Sequence, residues 1–218
     1  MPRSGLNTEV VVDAAARLAD AEGLYNLTLK RLAADLDVRP PSLFSHVDGL
    51  ADLRRQLQLR ALREMTARIG RAAIGRAGDE AVLAAATAAR QFAHEHPGLY
   101  AASLGAPPAH DGELNTAAEQ FIGIFFDAMR QYGFHDAEAL HAVRGLFSTI
   151  HGFIMLEHAG NFGMPVDVDE SFRWLIERYI ASLHADRSAI ANGRRAHPSN
   201  KTRPDTRRGP SSRTGATP

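Results

Sequence analysis

Residues 27–47, LTLKRLAADLDVRPPSLFSHV, constrain the fold more than any other stretch of this chain. Thr28 is placed to cap a helix, and Leu29, Leu32, Ala33 and Leu36 recur at helical spacing to give that helix a buried face. Asp37 falls where the chain must turn, and a short polar side chain tolerates the left-handed conformation better than most. Pro40 and Pro41 then mark a second helix start, since a first-turn proline gives up only an amide that has no partner there. Leu43 and Val47, four apart, face the core, which leaves Arg39, Ser42, Ser45 and His46 toward solvent. A cation, hydroxyls and an imidazole on a short rigid element suit phosphates and base edges in a DNA groove. The same pattern also fits an ordinary helical hairpin inside a bundle.

The rest of the chain is built for helices. Alanine, leucine and arginine dominate, β-branched alternation is scarce, and Gly and Pro cluster between periodic segments. The 218 residues leave room for a small domain and a larger one. No run of eighteen apolar residues is present, so no membrane span is expected. The start, MPRSGLNTEV, lacks an apolar signal core, and a cytoplasmic protein is expected. With no cysteine, disulfides and thiolate metal sites are excluded. The formal net charge of zero hides an asymmetry: in residues 185–218 eight Lys and Arg outweigh two Asp, leaving that segment at +6 and the remainder near −6. Nucleic-acid binding therefore has to rest on local placement rather than on bulk charge.

The first helix is predicted to start at Asn7, with Leu6 and Val11 spaced as a hydrophobic staple and Gly23 as its C-terminal cap. Asp48-Gly49 breaks the chain after the two-helix segment, and a long helix runs from about Leu50 to Arg71. Further helices are predicted over 80–96, ended by Pro97-Gly98, and over 113–132, 136–158 and 168–184. From Ala185 onward the Arg-, Ser-, Thr- and Pro-rich sequence lacks apolar periodicity and is predicted to be disordered. The expected fold is all-α: a three-helix helix-turn-helix domain over residues 6–53, a helical-bundle domain for ligand binding and dimerisation over 54–184, and a basic tail over 185–218.

Residues 6–53 resemble the DNA-binding domain of the tetracycline-repressor (TetR-like) family of regulators. The resemblance is carried by Val11-Val12-Asp13-Ala14-Ala15, Glu22-Gly23, Leu27-Thr28, Leu32-Ala33, Val38, Leu43-Phe44, His46-Val47 and Leu53, spaced without a gap. It implies a transcriptional regulator, not an enzyme, with Thr28, Lys30, Arg39, Ser42, Phe44 and His46 on double-stranded operator DNA. A two-fold dimer would present two such heads to successive major grooves, about 34–36 Å apart or a multiple of that. The chain departs from the family pattern at four places. Phe44 replaces the usual tyrosine, Leu50 the usual lysine, Arg39 a small capping residue and Asp37 the turn glycine. Fewer fixed phosphate contacts imply a shallower salt dependence, with Arg54 and Arg55 as compensating cations.

The string Leu146–Phe153, followed by Leu156-Glu157 and the loop Gly160–Pro165, resembles the C-terminal ligand-binding domain whose signature is a tryptophan, then His-Gly (WHG). Phe147 stands near the expected tryptophan. His151 is either a polar handle inside an apolar pocket or a core histidine satisfied by a neighbour. Gly152, which costs about 1 kcal/mol in mid-helix, permits close approach of a helix or a ligand. Phe121, Phe125, Met129, Tyr132, Phe147, Met155, Phe162, Met164 and Trp174 could line a pocket. The residues chosen for a small apolar or aromatic effector are Phe121, Phe125, Met129, Phe147, His151, Met155 and Trp174. Leu140, Val143 and Ile150, with Phe172, Ile176, Tyr179, Ile180 and Leu183, give the last two helices more apolar surface than one core needs, and the resemblance implies a homodimer through them. No cofactor is expected. Two rivals remain: a DNA-binding protein with a ligand-free second domain, and a metal-binding helical enzyme. Against the second, neither His151 with His158 nor His94 with His96 has zinc-helix spacing.

Overall fold

The computed structural model describes residues 5–191, and all of its regular elements are helical. Eight α-helices follow in order among these residues: α1 (Thr8–Glu22), α2 (Leu29–Asp35), α3 (Gly49–Ala73), α4 (Gly78–Glu95), α5 (Pro97–Ser103), α6 (Gly112–Gln131), α7 (Asp136–His158) and α8 (Val168–Ala191). Two 3-10 turns, Leu24–Asn26 and Pro40–Ser45, sit inside the N-terminal head.

Local chemistry accounts for the head. The Asn7 side chain accepts from Val10 N at 2.9 Å, and Thr28 Oγ1 accepts from Arg31 N at 3.1 Å, so both helix starts carry the predicted caps. α2 ends in a Schellman arrangement: Val38 N donates to Ala33 O and Asp37 N to Ala34 O. This requires a left-handed residue between them, and Asp37 supplies it at φ +53°. Leu43 and Val47 are buried as predicted, together with Leu32, Ala33 and Leu53. The second motif helix differs from expectation. It is a six-residue 3-10 segment, because Pro40 and Pro41 bring no amides and its first bond is Ser42 N to Arg39 O, three residues apart.

α3 carries the head into the body, where α4, α5 and α6 pack along it and α7 and α8 complete the bundle. Arg90 of α4 pins the far end of that bundle. It bonds Glu157 at the end of α7 and Asp169 at the start of α8, and lies over the rings of Phe153 and Phe172. The Arg90 guanidinium in turn holds the Glu157 carboxyl below its ordinary value. α7 is long and apolar enough to cross a membrane by length and composition alone. It is nevertheless packed against α4, α6 and α8.

Two predicted boundaries are corrected. Pro97-Gly98 does not simply stop a helix: Pro97 sits in the first turn of α5, which the sequence reading missed. α8 runs to Ala191, seven residues past its expected end, so 185–191 belong to a helix rather than to the tail. The remainder of the expected basic tail, 192–218, lies outside the described residues.

Candidate DNA-binding and effector sites

The head presents a cationic edge. Thr28, Lys30, Arg39 and Ser42 are exposed, Phe44 is 59% exposed, and His46 is half-buried. Lys30 and Arg39 make no ion pair among the described residues, whereas neighbouring Arg31 is held by Glu22 and Asp35. Thr28 Oγ1 accepts from the α2 backbone, which leaves its hydroxyl hydrogen to donate outward. In the 3-10 segment, residues three apart eclipse, so Arg39, Ser42 and Ser45 form one row. Ser45 Oγ donates to Ser42 O, and Thr8 Oγ1 donates to His46 O, tying the end of the reading segment to α1. Leu50, the position of the missing lysine, packs against the core. Arg55 is corrected as a DNA cation: it donates to Asp111 and Glu113 of the body. Arg54 is exposed.

The effector residues separate into two groups. Phe121, Phe125 and Phe147 form an edge-to-face cluster, with centroids 5.1–5.7 Å apart, and Met129 is fully buried. His151 is held from α5: its Nδ1 is 2.9 Å from the hydroxyl of Tyr100, whose burial pushes the phenol well above its ordinary value. His151 is thus a half-buried polar group with a hydrogen-bond partner. Met155 and Trp174 do not join it. They are 48% and 61% exposed, as the outward residues of α7 and α8. No neighbouring helix makes the close approach expected at Gly152, since a Cβ there meets nothing within 4 Å. The close approaches belong to Gly98, against the Ala19 backbone, and to Gly145, under the Tyr179 ring.

Six of the eight residues expected at the dimer interface are corrected as well, Leu140 and Tyr179 keeping partial exposure. Val143, Ile150, Phe172, Ile176, Ile180 and Leu183 are buried within one protomer, and Tyr179 donates to Ala142 O. The apolar stripes of α7 and α8 close their own chain's core first. What they leave exposed is Met155 and Leu156, Trp174, and the loop residues Phe162, Met164 and Val166.

Head and body meet at a joint that the sequence reading did not find. Asp20 of α1 accepts from Gly98 N at 2.8 Å and Leu99 N at 3.0 Å, and its other oxygen lies 3.0 Å from His96 Nδ1. A carboxylate on one helix thereby satisfies the free amides at the start of another. α5 is seven residues long, held to the head at Gly98 and to α7 at Tyr100. A proline-led helix start after Glu95 was the available signal, but its partner lies 78 residues away in sequence. No three His, Asp or Glu side chains gather as metal ligands among the described residues.

This architecture has relatives. The family described as Tetracyclin repressor-like, C-terminal domain, matches residues 82–179. The HTH-type transcriptional regulator YobS of Bacillus subtilis is 35% identical over 84% of this chain and 95% of its own length. The chain belongs to the TetR family of transcriptional regulators. A second relative, the HTH-type transcriptional regulator Rv0681 of Mycobacterium tuberculosis, is 35% identical over 82% of each chain. The solved structure of apo ActR from Streptomyces coelicolor has the same fold, with a TM-score of 0.63 at 20% identity over 86% of this chain and 99% of that one. As a TetR family member the protein is a DNA-binding transcriptional regulator, not an enzyme, of a family that binds operator DNA and small molecules and dimerises.

Proposed function

We propose that this regulator is a cytoplasmic repressor, released from its operator by a small apolar or aromatic effector. Thr28, Lys30, Arg39, Ser42, Phe44 and His46 are its DNA-contacting set. The effector enters the interior around Phe121, Phe125, Phe147 and His151, with Met129 behind them. The observation that carries this reading is the position of α5, whose Tyr100 faces His151 while its first amides are capped by Asp20 of the head. An effector that replaces Tyr100 as the partner of His151 moves α5, and the head follows through Asp20 and Gly98. The size of the response is set by the differential affinity of the effector for the two arrangements. Pairing of protomers uses the outward face of α7 and α8, centred on Trp174 and Met155, rather than the stripes buried in the core.

The test is a gel shift over a salt series, using the DNA upstream of the coding region. Specific retardation is expected, with a salt slope that falls by about 1 for each of Lys30→Ala and Arg39→Ala if both neutralise phosphates. Equal binding to random DNA at every salt concentration refutes the operator reading.

A further inference from the structure

A cleft lies where the head meets the body, lined by none of the residues of the Phe121–His151 interior. It is a cleft of about 550 Å³, within the range of small-molecule sites. Leu24 and Tyr25 of the first 3-10 turn line it together with Arg54 of α3. Leu104, Pro108 and His110, in the connection between α5 and α6, also line it.

Its lining mixes apolar side chains with charged ones, of which Arg54 has no ion pair among the described residues. Tyr25 is 89% exposed and Leu104 is 44% exposed, the largest uncovered apolar side chains at this junction. The two carboxylates bordering the cleft are already engaged. Asp52 accepts from Asp48 N and Gln56 Nε2, while Asp111 is held by Arg55 and the Leu114 amide and lies beside His110. Arg54 makes no ion pair or hydrogen bond among the described residues, whereas Arg55, Arg60, Arg63 and Arg68 farther along the helix are paired. An unengaged guanidinium beside exposed aromatic and aliphatic surface matches one ligand chemistry: an apolar body carrying a carboxylate, which arginine can take in a bidentate contact.

We infer that this junction cleft binds a small apolar carboxylate, its acid group on Arg54 and its body between Tyr25 and Leu104. Such a ligand touches the head, the linking helix and the α5–α6 connection at once, and so fixes the head relative to the body without entering the sensor interior. The inference stands apart from the operator and effector readings, because binding is measured without DNA.

The experiment is calorimetric titration of the full chain with phenylacetate, octanoate and the neutral phenylacetamide. Saturable binding of at least one carboxylate is expected, with the amide and the Arg54→Gln protein each weaker by about tenfold or more. Binding is expected to persist in Phe147→Leu, which alters the interior cluster and does not line the cleft. Arg54 is exposed, so R54Q should unfold at the wild-type temperature, which separates a lost site from a lost fold. Failure of both carboxylates to bind overturns the inference. So does equal binding by wild type and R54Q, equal binding of the amide, or loss of binding in F147L.

Discussion

Gly98 is the residue on which the head–body joint turns, and replacing it by alanine gives a sharp test. An ideal Cβ at Gly98 lies 2.2 Å from the carbonyl carbon of Ala19, 2.4 Å from its oxygen and 2.5 Å from Asp20 N. All three are backbone atoms, so no side chain can swing aside. Carbon contacts are comfortable only from about 3.5 Å, and α5 must therefore retreat by roughly 1 Å. That takes Gly98 N and Leu99 N, now 2.8 and 3.0 Å from Asp20, to the edge of hydrogen-bonding range or past it. Overpacking costs about 1–3 kcal/mol, and bonds to a charged acceptor are worth about 1.5–3 kcal/mol. The two describe one displacement and do not add in full. Alanine returns up to about 1 kcal/mol of helix propensity. The net expectation is a loss of about 2 kcal/mol, or a melting temperature lower by about 4–8 °C for a chain of this size.

Urea and thermal unfolding followed by far-UV circular dichroism measure this loss, with two other glycines as internal references. Gly152→Ala, where a Cβ meets nothing, should stabilise by about 0.5–1 kcal/mol. Gly145→Ala should fall between, because the obstruction is the movable Tyr179 ring. The reasoning is refuted if G98A unfolds within about 0.5 kcal/mol of wild type, a difference typical of neutral surface changes. It is equally refuted if G152A proves the less stable of the two.

Asp111 is held down to about 2 by Arg55, helped by the Leu114 amide, against an ordinary value near 4. A depressed carboxylate contributes stability that is fully present above its unfolded value and is lost as pH falls through its folded value. The wild type should therefore lose stability between about pH 4 and 2 more steeply than Asp111→Asn, and parallel acid-unfolding curves would contradict this. Tyr100→Phe leaves His151 Nδ1 without its partner and should cost about 1–3 kcal/mol in urea unfolding; an unchanged midpoint would mean that the pair does not matter. Trp174 is the single tryptophan and is exposed in the protomer. Its emission should shift to the red on dilution and Trp174→Glu should sediment as a monomer, whereas a dimeric W174E would remove this face from the interface.

Much of the head was legible in its sequence because its signals act within one helical turn. Thr28 and Asn7 cap the amides that their spacing predicts, Asp37 takes the left-handed turn, and Leu43 and Val47 are buried. The candidate site was legible only in part. Phe121, Phe125, Phe147 and His151 come together, but Met155 and Trp174 share helical spacing with core residues while facing outward. A residue's place on a helix fixes its direction from the axis, not what lies there.

The sequence by itself determined an all-helical chain with a turn-linked pair of reading elements at its N-terminus. Caps, breakers and apolar period are properties of a residue and its near neighbours. The tertiary structure alone decided which stripes close the monomer core, that Arg55 serves the body while Arg54 has no ion pair among the described residues, and that Asp20 caps a helix 78 residues away. Those outcomes depend on which helices pack together. That choice is made by burial summed over the whole chain, in which each contact is weak and only their joint arrangement is stable.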